Sequence, residues 1–279
     1  MLERKSLQNG FEYLEIQNSH IQAKIALQGA HLFEYKVDGR DLLWLSKTSP
    51  FEKGVAIRGG VPICWPAFGM QNPSLSQHGF ARTQLWKLLS FTEITEECIE
   101  LILQLKWSDE TLILWPYKFD LSLILTLGKE LKMQLITTNC DTKSFELSEA
   151  LHSYFPISDI GDVKIHGLGT KPYWDALNDT EDFEKEVIVF DGEFDRVYQE
   201  VDSPLLLETN EIKIQITNQG SSSVVVWNPW VEKADRMSGM ERESYREFVC
   251  IESANAREDT RTLSAGEIHT LEAKIAFIS

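Results

Sequence analysis

Two residues a hundred positions apart carry side chains suited to moving protons at neutral pH: the imidazole of His152 and the carboxylate of Glu252. Along Phe145–Phe155, strand alternation sets His152 on a face with Glu146, Ser148, Ala150 and Tyr154, while Phe145, Leu147, Leu151 and Phe155 take the other. His152 therefore faces a polar or concave surface, where a histidine taken alone is most often an ordinary solvent-facing one. Along Arg246–Ala256, the same parity groups Phe248, Cys250, Glu252 and Ala254, so an acid follows apolar neighbours near the end of a strand. A carboxylate partly withdrawn from water has a raised pKa and is a better base near neutrality. A salt-bridged glutamate at a strand end is the plainer reading of that segment. His78, preceded by Gln77 and followed by Gly79, suits the close approach of a ligand and equally suits a plain loop. Asp195 can accept hydrogen bonds from hydroxyl groups or pair with its neighbour Arg196. Taken singly, each of the four reads as structural before it reads as functional.

The elements that must bring such residues together are strands. Ile21, Ala23, Ile25 and Leu27 alternate with Gln22, Lys24, Ala26 and Gln28, the period of a strand with one buried face. Ile99–Lys106, Phe119–Leu127, Leu131–Thr137, Ile212–Thr217, Val224–Trp227 and Ile268–Ile278 read the same way. Asp38-Gly39, Gly128-Lys129, Asp191-Gly192, Gln219-Gly220 and Ala265-Gly266 punctuate them as turns. The architecture expected is a large antiparallel sandwich. Only Ser238–Glu247 looks compatible with a helix, with Asp235 or Ser238 as its N-cap. Three segments break the alternation with glycine, proline, aromatics, arginine and histidine: Arg58–Pro66, Gln77–Arg82 and Trp227–Trp230. Loops of this kind on a rigid sheet are where binding groups concentrate.

Composition narrows the function. The 279 residues, 43% of them hydrophobic, suffice for a sizeable core, and no linker, repeat or low-complexity tract divides them, so one domain over residues 1–279 is expected. A formal charge of −16 with no basic stripe argues against nucleic-acid binding. Met1-Leu2-Glu3-Arg4-Lys5 leads into polar sequence, so neither a signal peptide nor a membrane span is expected, and the cytoplasm is the expected location. Cys64, Cys98, Cys140 and Cys250 lie far apart and read as reduced, buried thiols. The six histidines include no closely spaced ligand pair, which disfavours a metal-dependent cupin-like enzyme.

Six segments in order resemble the aldose 1-epimerase superfamily, specifically its hexose-6-phosphate mutarotase (glucose-6-phosphate 1-epimerase) branch. They are Ile57-Arg58-Gly59-Gly60-Val61-Pro62 with Cys64-Trp65-Pro66, His78-Gly79-Phe80-Ala81-Arg82, Leu151-His152-Ser153-Tyr154-Phe155, Phe194-Asp195-Arg196-Val197-Tyr198, Val226-Trp227-Asn228-Pro229-Trp230 and Val249-Cys250-Ile251-Glu252-Ser253-Ala254. The resemblance implies an all-β, galactose-mutarotase-like β-supersandwich of antiparallel sheets with few short helices and the substrate on its concave face. It implies Glu252 as general base, His152 as general acid, and His78 and Asp195 as sugar-binding residues. It also implies Arg58 and Arg82 as a phosphate clamp, to which Lys233 or Arg236 adds charge only as a weaker expectation. No cofactor, metal or covalent intermediate is implied; the partner is a small phosphorylated hexose, and a monomer is expected.

The residue types suit that chemistry. Opening a cyclic hemiacetal takes a proton from the anomeric hydroxyl and delivers one to the ring oxygen, which a carboxylate and an imidazole on opposite sides of the bond can do. A phosphomonoester, with its second pKa at about 6, is largely dianionic at neutral pH. Screening over about 8 to 10 Å confines the repulsion of an acidic protein, so two nearby guanidinium groups can win locally. Other readings stay open on residues alone. Unphosphorylated aldoses are alternative substrates. A glycosidase would use Glu252 and Asp195, leaving both histidines idle. A non-catalytic sugar-binding module would stack Trp65, Trp227 and Trp230 on its ligand.

Overall fold

A computed structural model describes residues 1–70, 72–202 and 204–278. The alternating segments form strands, with ends within one or two residues of expectation: Ile21–Ala26, Cys98–Lys106, Phe119–Leu127, Glu130–Asn139, Lys213–Gln219, Ser223–Asn228 and Ile268–Phe277. Pairing between the named strands is antiparallel throughout. A five-stranded sheet runs from Leu2–Ser6 to Arg40–Asp41, and a two-stranded one pairs Phe145–Leu147 with Arg261–Leu263. Two larger sheets make up the rest of the sandwich.

One large sheet runs in the order Lys164–His166, Leu205–Glu208, Lys213–Gln219, Ile268–Phe277, Glu130–Asn139, Phe119–Leu127, Cys98–Lys106 and Lys87–Thr95. Inward residues such as Leu123, Leu125, Met133, Leu135, Leu271 and Ile275 are at most 1% exposed. They join Tyr154, Phe155, Val226 and Phe248 of the second large sheet in an apolar cluster that runs from Leu14 to Ile275. Each fully buried aliphatic side chain contributes roughly 1.5–3 kcal/mol, so the alternation read from sequence is the main stabilising pattern.

The second large sheet positions the site. Its order is Thr180–Phe183, Pro172–Asp175, Phe194–Tyr198, Ser223–Asn228, Phe248–Asn255, Glu149–Leu151 and Ile63–Cys64, with Tyr154–Pro156 also pairing with Phe248–Asn255. Away from the main core, Cys64, Ala150, Val197, Val225 and Ala254 make a floor of small side chains, against which Phe68 and Trp174 pack. Small side chains leave open volume above the sheet, and loops rather than strands enclose it.

Helix is sparse but not where the sequence points. The α-helices are α1, Asp109–Leu114, and α2, Trp230–Arg236; Ser238–Glu247 holds only a 3-10 turn, Arg242–Arg246. Asp235 lies inside α2, and the turn begins after Glu241 rather than at Ser238. The start of α1 is a reciprocal cap, in which the Ser108 hydroxyl accepts from the Thr111 amide and the Thr111 hydroxyl accepts from the Ser108 amide. All four cysteines are free thiols, yet only Cys64 and Cys250 are buried; Cys98 is half-buried and Cys140 exposed, which corrects the expectation for those two. Among the described residues no helix is long and apolar enough to cross a membrane.

Candidate active site

Glu252 sits mid-strand in Phe248–Asn255, not at the strand end that the sequence implies, and is 1% exposed. On one side it is in register with Val225. On the other the neighbouring strand is interrupted: Leu151 pairs with Ser253 and Tyr154 with Cys250, so His152 and Ser153 fall in the gap beside Glu252. The continuous strand read over Phe145–Phe155 is in fact three short pieces, the first in a different sheet. The His152 amide donates to the Pro62 carbonyl (3.1 Å), and Tyr154 stacks on the imidazole at 4.8 Å between centroids. This break turns the ring onto Glu252, with Nε2 3.2 Å from Oε1. The two groups therefore touch side by side rather than facing each other across a bond.

Burial governs their ionisation. Taking a charge out of water disfavours the charged form, so Glu252 is pushed well above the usual carboxylate range, with the Asp195 charge adding to the effect. His152 is driven well below the usual imidazole range by burial, then by His78, Arg82 and Arg58. Both shifts favour the uncharged forms, carboxylic acid at Glu252 and neutral imidazole at His152. Glu252 Oε2 and His152 Nδ1 are buried and meet no hydrogen-bond partner among the described residues.

Two loops close over the pair. Gly60 adopts φ +63°, and a Cβ there would lie 2.3 Å from the Leu32 carbonyl oxygen, so only glycine lets the Arg58 segment pack this closely. The Arg58 amide donates to the Ser49 hydroxyl (2.7 Å), and His31, which the sequence did not single out, donates from Nε2 to the Gly59 carbonyl (2.7 Å). Burial lowers the pKa of His31 to about 4, so it stays a neutral donor. The Arg58 Nε is buried and unpartnered among the described residues.

In the second loop a Cβ at Gly79 would lie 2.1 Å from the Trp65 carbonyl oxygen, which fixes His78 beside Trp65. The His78 amide donates to the Gly69 carbonyl (2.8 Å), and His78 Nδ1 accepts from the Gly69 amide (3.2 Å). Burial, Arg82 and Arg58 lower the His78 pKa to about 3. With Nδ1 accepting, the ring proton belongs on Nε2, as a donor. Arg82 donates to the Gln77 carbonyl (2.7 Å).

Arg58, His78, Arg82, His152, Asp195 and Glu252 all line one cavity of about 500 Å³, so the structure brings together every residue singled out for the site. That volume is in the range that holds a small ligand. Asp195 does not pair with Arg196, which points to the other face of its strand and meets Asp175 (3.4 Å) and Glu184 (3.0 Å). Its carboxylate is 3.8 Å from Lys233 Nζ, which also binds Glu193 (2.7 Å). Burial raises Asp195 to about 6 against the pull of Lys233, with Glu193 and Asp175 adding to the rise. Lys233 lines the cavity and Arg236 does not. Of the tryptophans expected to stack on a ligand, Trp227 lines the cavity, whereas Trp65 is fully buried and Trp230 packs on Tyr245. Trp174, missed in the sequence, lines it as well. Among the described residues no group of three or more His, Cys, Asp or Glu side chains is placed to hold a metal ion.

Such a cavity offers a carboxyl–imidazole pair, two guanidinium groups and a carboxylate–ammonium pair. Comparison with known proteins agrees. The profile for aldose 1-epimerase matches residues 12–276. A protein of Escherichia coli (strain K12), provisionally named glucose-6-phosphate 1-epimerase, is 35% identical over 96% of this chain and 91% of its own length. One from Cenchrus ciliaris with the same provisional name is 36% identical over 88% and 78%. The crystal structure of a provisionally named mutarotase (YeaD) from Salmonella typhimurium superimposes with a TM-score of 0.93 at 31% identity, covering 100% of this chain and 94% of that one. A galactose mutarotase-like protein from Lactobacillus casei shares the fold, at a TM-score of 0.75 and 18% identity over 95% and 100%. These matches set aside the hydrolase and the non-catalytic module. The galactose-mutarotase-like sandwich is the fold, the chain belongs to the aldose 1-epimerase family, and the protein is an isomerase.

Proposed function

We propose that the protein interconverts the α and β anomers of an aldohexose 6-phosphate, with His152 and Glu252 as the proton-transfer pair and Arg58 and Arg82 as the phosphate clamp. One observation carries this reading. Of the seven buried polar atoms left without a hydrogen-bond partner among the described residues, three belong to Arg58, His152 and Glu252, which line one cavity. An unpartnered buried polar group costs about 1–3 kcal/mol, so such a cluster marks a place where a ligand supplies the missing partners.

The pair's single proton suffices for the reaction. With Glu252 as carboxylate and His152 as imidazolium, Glu252 takes the proton from O1 while His152 gives one to O5. The C1–O5 bond breaks and the O1 electrons form the aldehyde. The pair is left as carboxylic acid and neutral imidazole, with the same number of protons. Rotation about C1–C2 presents the other carbonyl face, and the reverse transfers close the ring as the other anomer. O1 and O5 share one carbon, so groups lying side by side can address both. Positioned acids and bases contribute on the order of 10²–10⁴-fold each.

The order of elements supports one orientation of the substrate. Across the sheet, Asp195 lies on the strand before Ser223–Asn228 and Glu252 on the strand after it, His152 sits in the gap beside Glu252, and Arg58 and Arg82 line the same cavity. A phosphate on the arginines places O5 toward His152, O1 toward Glu252 and the far hydroxyls toward Asp195 and Lys233. His78, donating from Nε2, is a further hydroxyl partner. The provisional names of the 35–36% identical relatives support the phosphorylated substrate.

The cytoplasm, where membrane-impermeant sugar phosphates are held, and a monomer of one domain complete the proposal; the main apolar cluster runs from Leu14 to Ile275. Exchange NMR on equilibrated glucose 6-phosphate and glucose tests it. Catalysed exchange that favours the phosphorylated sugar by at least about tenfold in kcat/KM supports the reading. Equal rates on both sugars would remove the phosphate from it.

A further inference from the structure

Both ring nitrogens of His152 are committed to chemistry. Nε2 meets Glu252 Oε1 at 3.2 Å, and Nδ1 is buried without a partner among the described residues, which the reading of the cavity leaves to the substrate. A histidine that works in a site is ordinarily aimed by a hydrogen bond from its second nitrogen to a carboxylate or a backbone carbonyl. His152 has no such orienting bond among the described residues, so its ring is held by its faces and edges instead.

The backbone sets up that hold. The Ser153 amide donates to the Leu151 carbonyl (2.9 Å), a three-residue turn centred on His152. On an unbroken strand same-face neighbours stand about 6.6 Å apart. Across this turn the Tyr154 ring lies nearly parallel to the imidazole, 4.8 Å between centroids and 13° between planes. Trp227 and His78 meet the imidazole in T-shaped contacts, at 5.9 Å and 5.8 Å. Tyr154 is fixed in turn. Its amide donates to the Gly60 carbonyl (3.0 Å), its carbonyl accepts from the Trp44 amide (2.9 Å), and it pairs with Cys250. Trp44 stacks on its ring at 5.9 Å, and Phe248 packs on it at 5.2 Å.

We propose that Tyr154 is a positioning residue for mutarotation: its ring, rather than its hydroxyl, holds the imidazole in the plane from which Nε2 reaches Glu252 and Nδ1 reaches the substrate. This rests on the assignment of proton transfer to His152 and adds what aims that group. A misplacement of about 1 Å costs on the order of 10²-fold in rate, so loss of the stack falls on kcat rather than on KM.

The test separates the ring from the hydroxyl. Tyr154→Phe keeps the stack, and Tyr154→Leu removes it. Exchange NMR on glucose 6-phosphate is expected to give a kcat within about threefold of wild type for the first. For the second, kcat should fall by about 10²-fold with KM changed less than about threefold. In the His152→Asn background the leucine change should cost less than about threefold, because a residue that acts through His152 then has nothing left to aim. A merely structural role would lower the rate alike in both backgrounds, and that result overturns the inference. So does a folded Tyr154→Phe that loses more than about tenfold in kcat, or a Tyr154→Leu that keeps it. If the wild type does not accelerate exchange, or His152→Asn keeps the rate, the functional assignment has failed instead. Where Tyr154→Leu does not fold, Tyr154→Met fills the same space without a ring and takes its place. If neither folds, Tyr154→Phe decides the matter by itself.

Discussion

Glu252 and Glu149 lie on adjacent strands of one sheet, and of the two only Glu252 lines the cavity of about 500 Å³. Both are essentially unexposed, both have one oxygen without a hydrogen bond, and both lie near a histidine. Burial pushes both upward, Glu149 to about 8. Their surroundings differ. Glu149 Oε2 accepts from the Thr137 hydroxyl (3.4 Å), which accepts from the Trp65 indole (3.0 Å). Its histidine, His269, is already engaged with Asn255 (2.9 Å). That network braces Trp65, whose main chain holds the His78 loop. Burial and a displaced pKa therefore do not identify a catalytic carboxylate. An opening to shared volume, with cations and a second orphaned group in it, separates Glu252 from its neighbour.

Substitution should divide the two. Glu252→Gln and His152→Asn are each expected to lower kcat for glucose 6-phosphate by about 10³–10⁴-fold with thermal unfolding little changed. Glu149→Gln is expected to keep kcat within about fivefold; a loss as large as that of Glu252→Gln would erase the distinction.

The sandwich was legible because a period of two is hard to mistake where one face is buried, as along Phe119–Leu127, whose strand bounds match expectation. The residues that line the cavity were legible from their motifs, but their geometry was not. Parity carried His152 through a strand that actually breaks beside Glu252, and that break is fixed by Pro62 and by long-range pairing no local pattern contains. Helix α2 was missed because it is seven residues long and follows Asn228-Pro229, whose turn character dominates the local reading. That helix carries Lys233, which lines the cavity 3.8 Å from Asp195. His31 carried no signal at all, since its role is a single hydrogen bond to a distant carbonyl.

The arginines sharpen the contrast by adding a ligand to it. Arg58→Ala or Arg82→Ala should lower kcat/KM on glucose 6-phosphate by about 10²-fold and on glucose by less than about threefold. Parallel losses on the two sugars would deny these residues a phosphate. A smaller effect is expected at the other end of the cavity. Lys233 holds down the proton affinity of Asp195, which titrates at about 6. Lys233→Met should move the acid limb of the kcat/KM profile to higher pH, because Asp195 then keeps its proton longer. An unmoved limb would mean that Asp195 need not be ionised.

The smallest effect concerns stability. Glu149 holds a proton in the folded chain that the unfolded chain releases, because its pKa rises from 4.5 to about 8 on folding. Its contribution is present below about 4.5 and is lost as pH rises toward about 8. Glu149→Gln should therefore flatten the decline of denaturation midpoints over that window, and an unchanged slope would show that Glu149 is already ionised in the fold.

The central claim is that Glu252 and His152 work as one pair with a shared proton. The direct measurement is the α/β exchange rate of glucose 6-phosphate by NMR for wild type, Glu252→Gln, His152→Asn and the double variant. A shared-proton pair predicts that each single change abolishes nearly all of the acceleration and that combining them costs almost nothing further. Multiplying losses, or a single variant that keeps most of the rate, would contradict it.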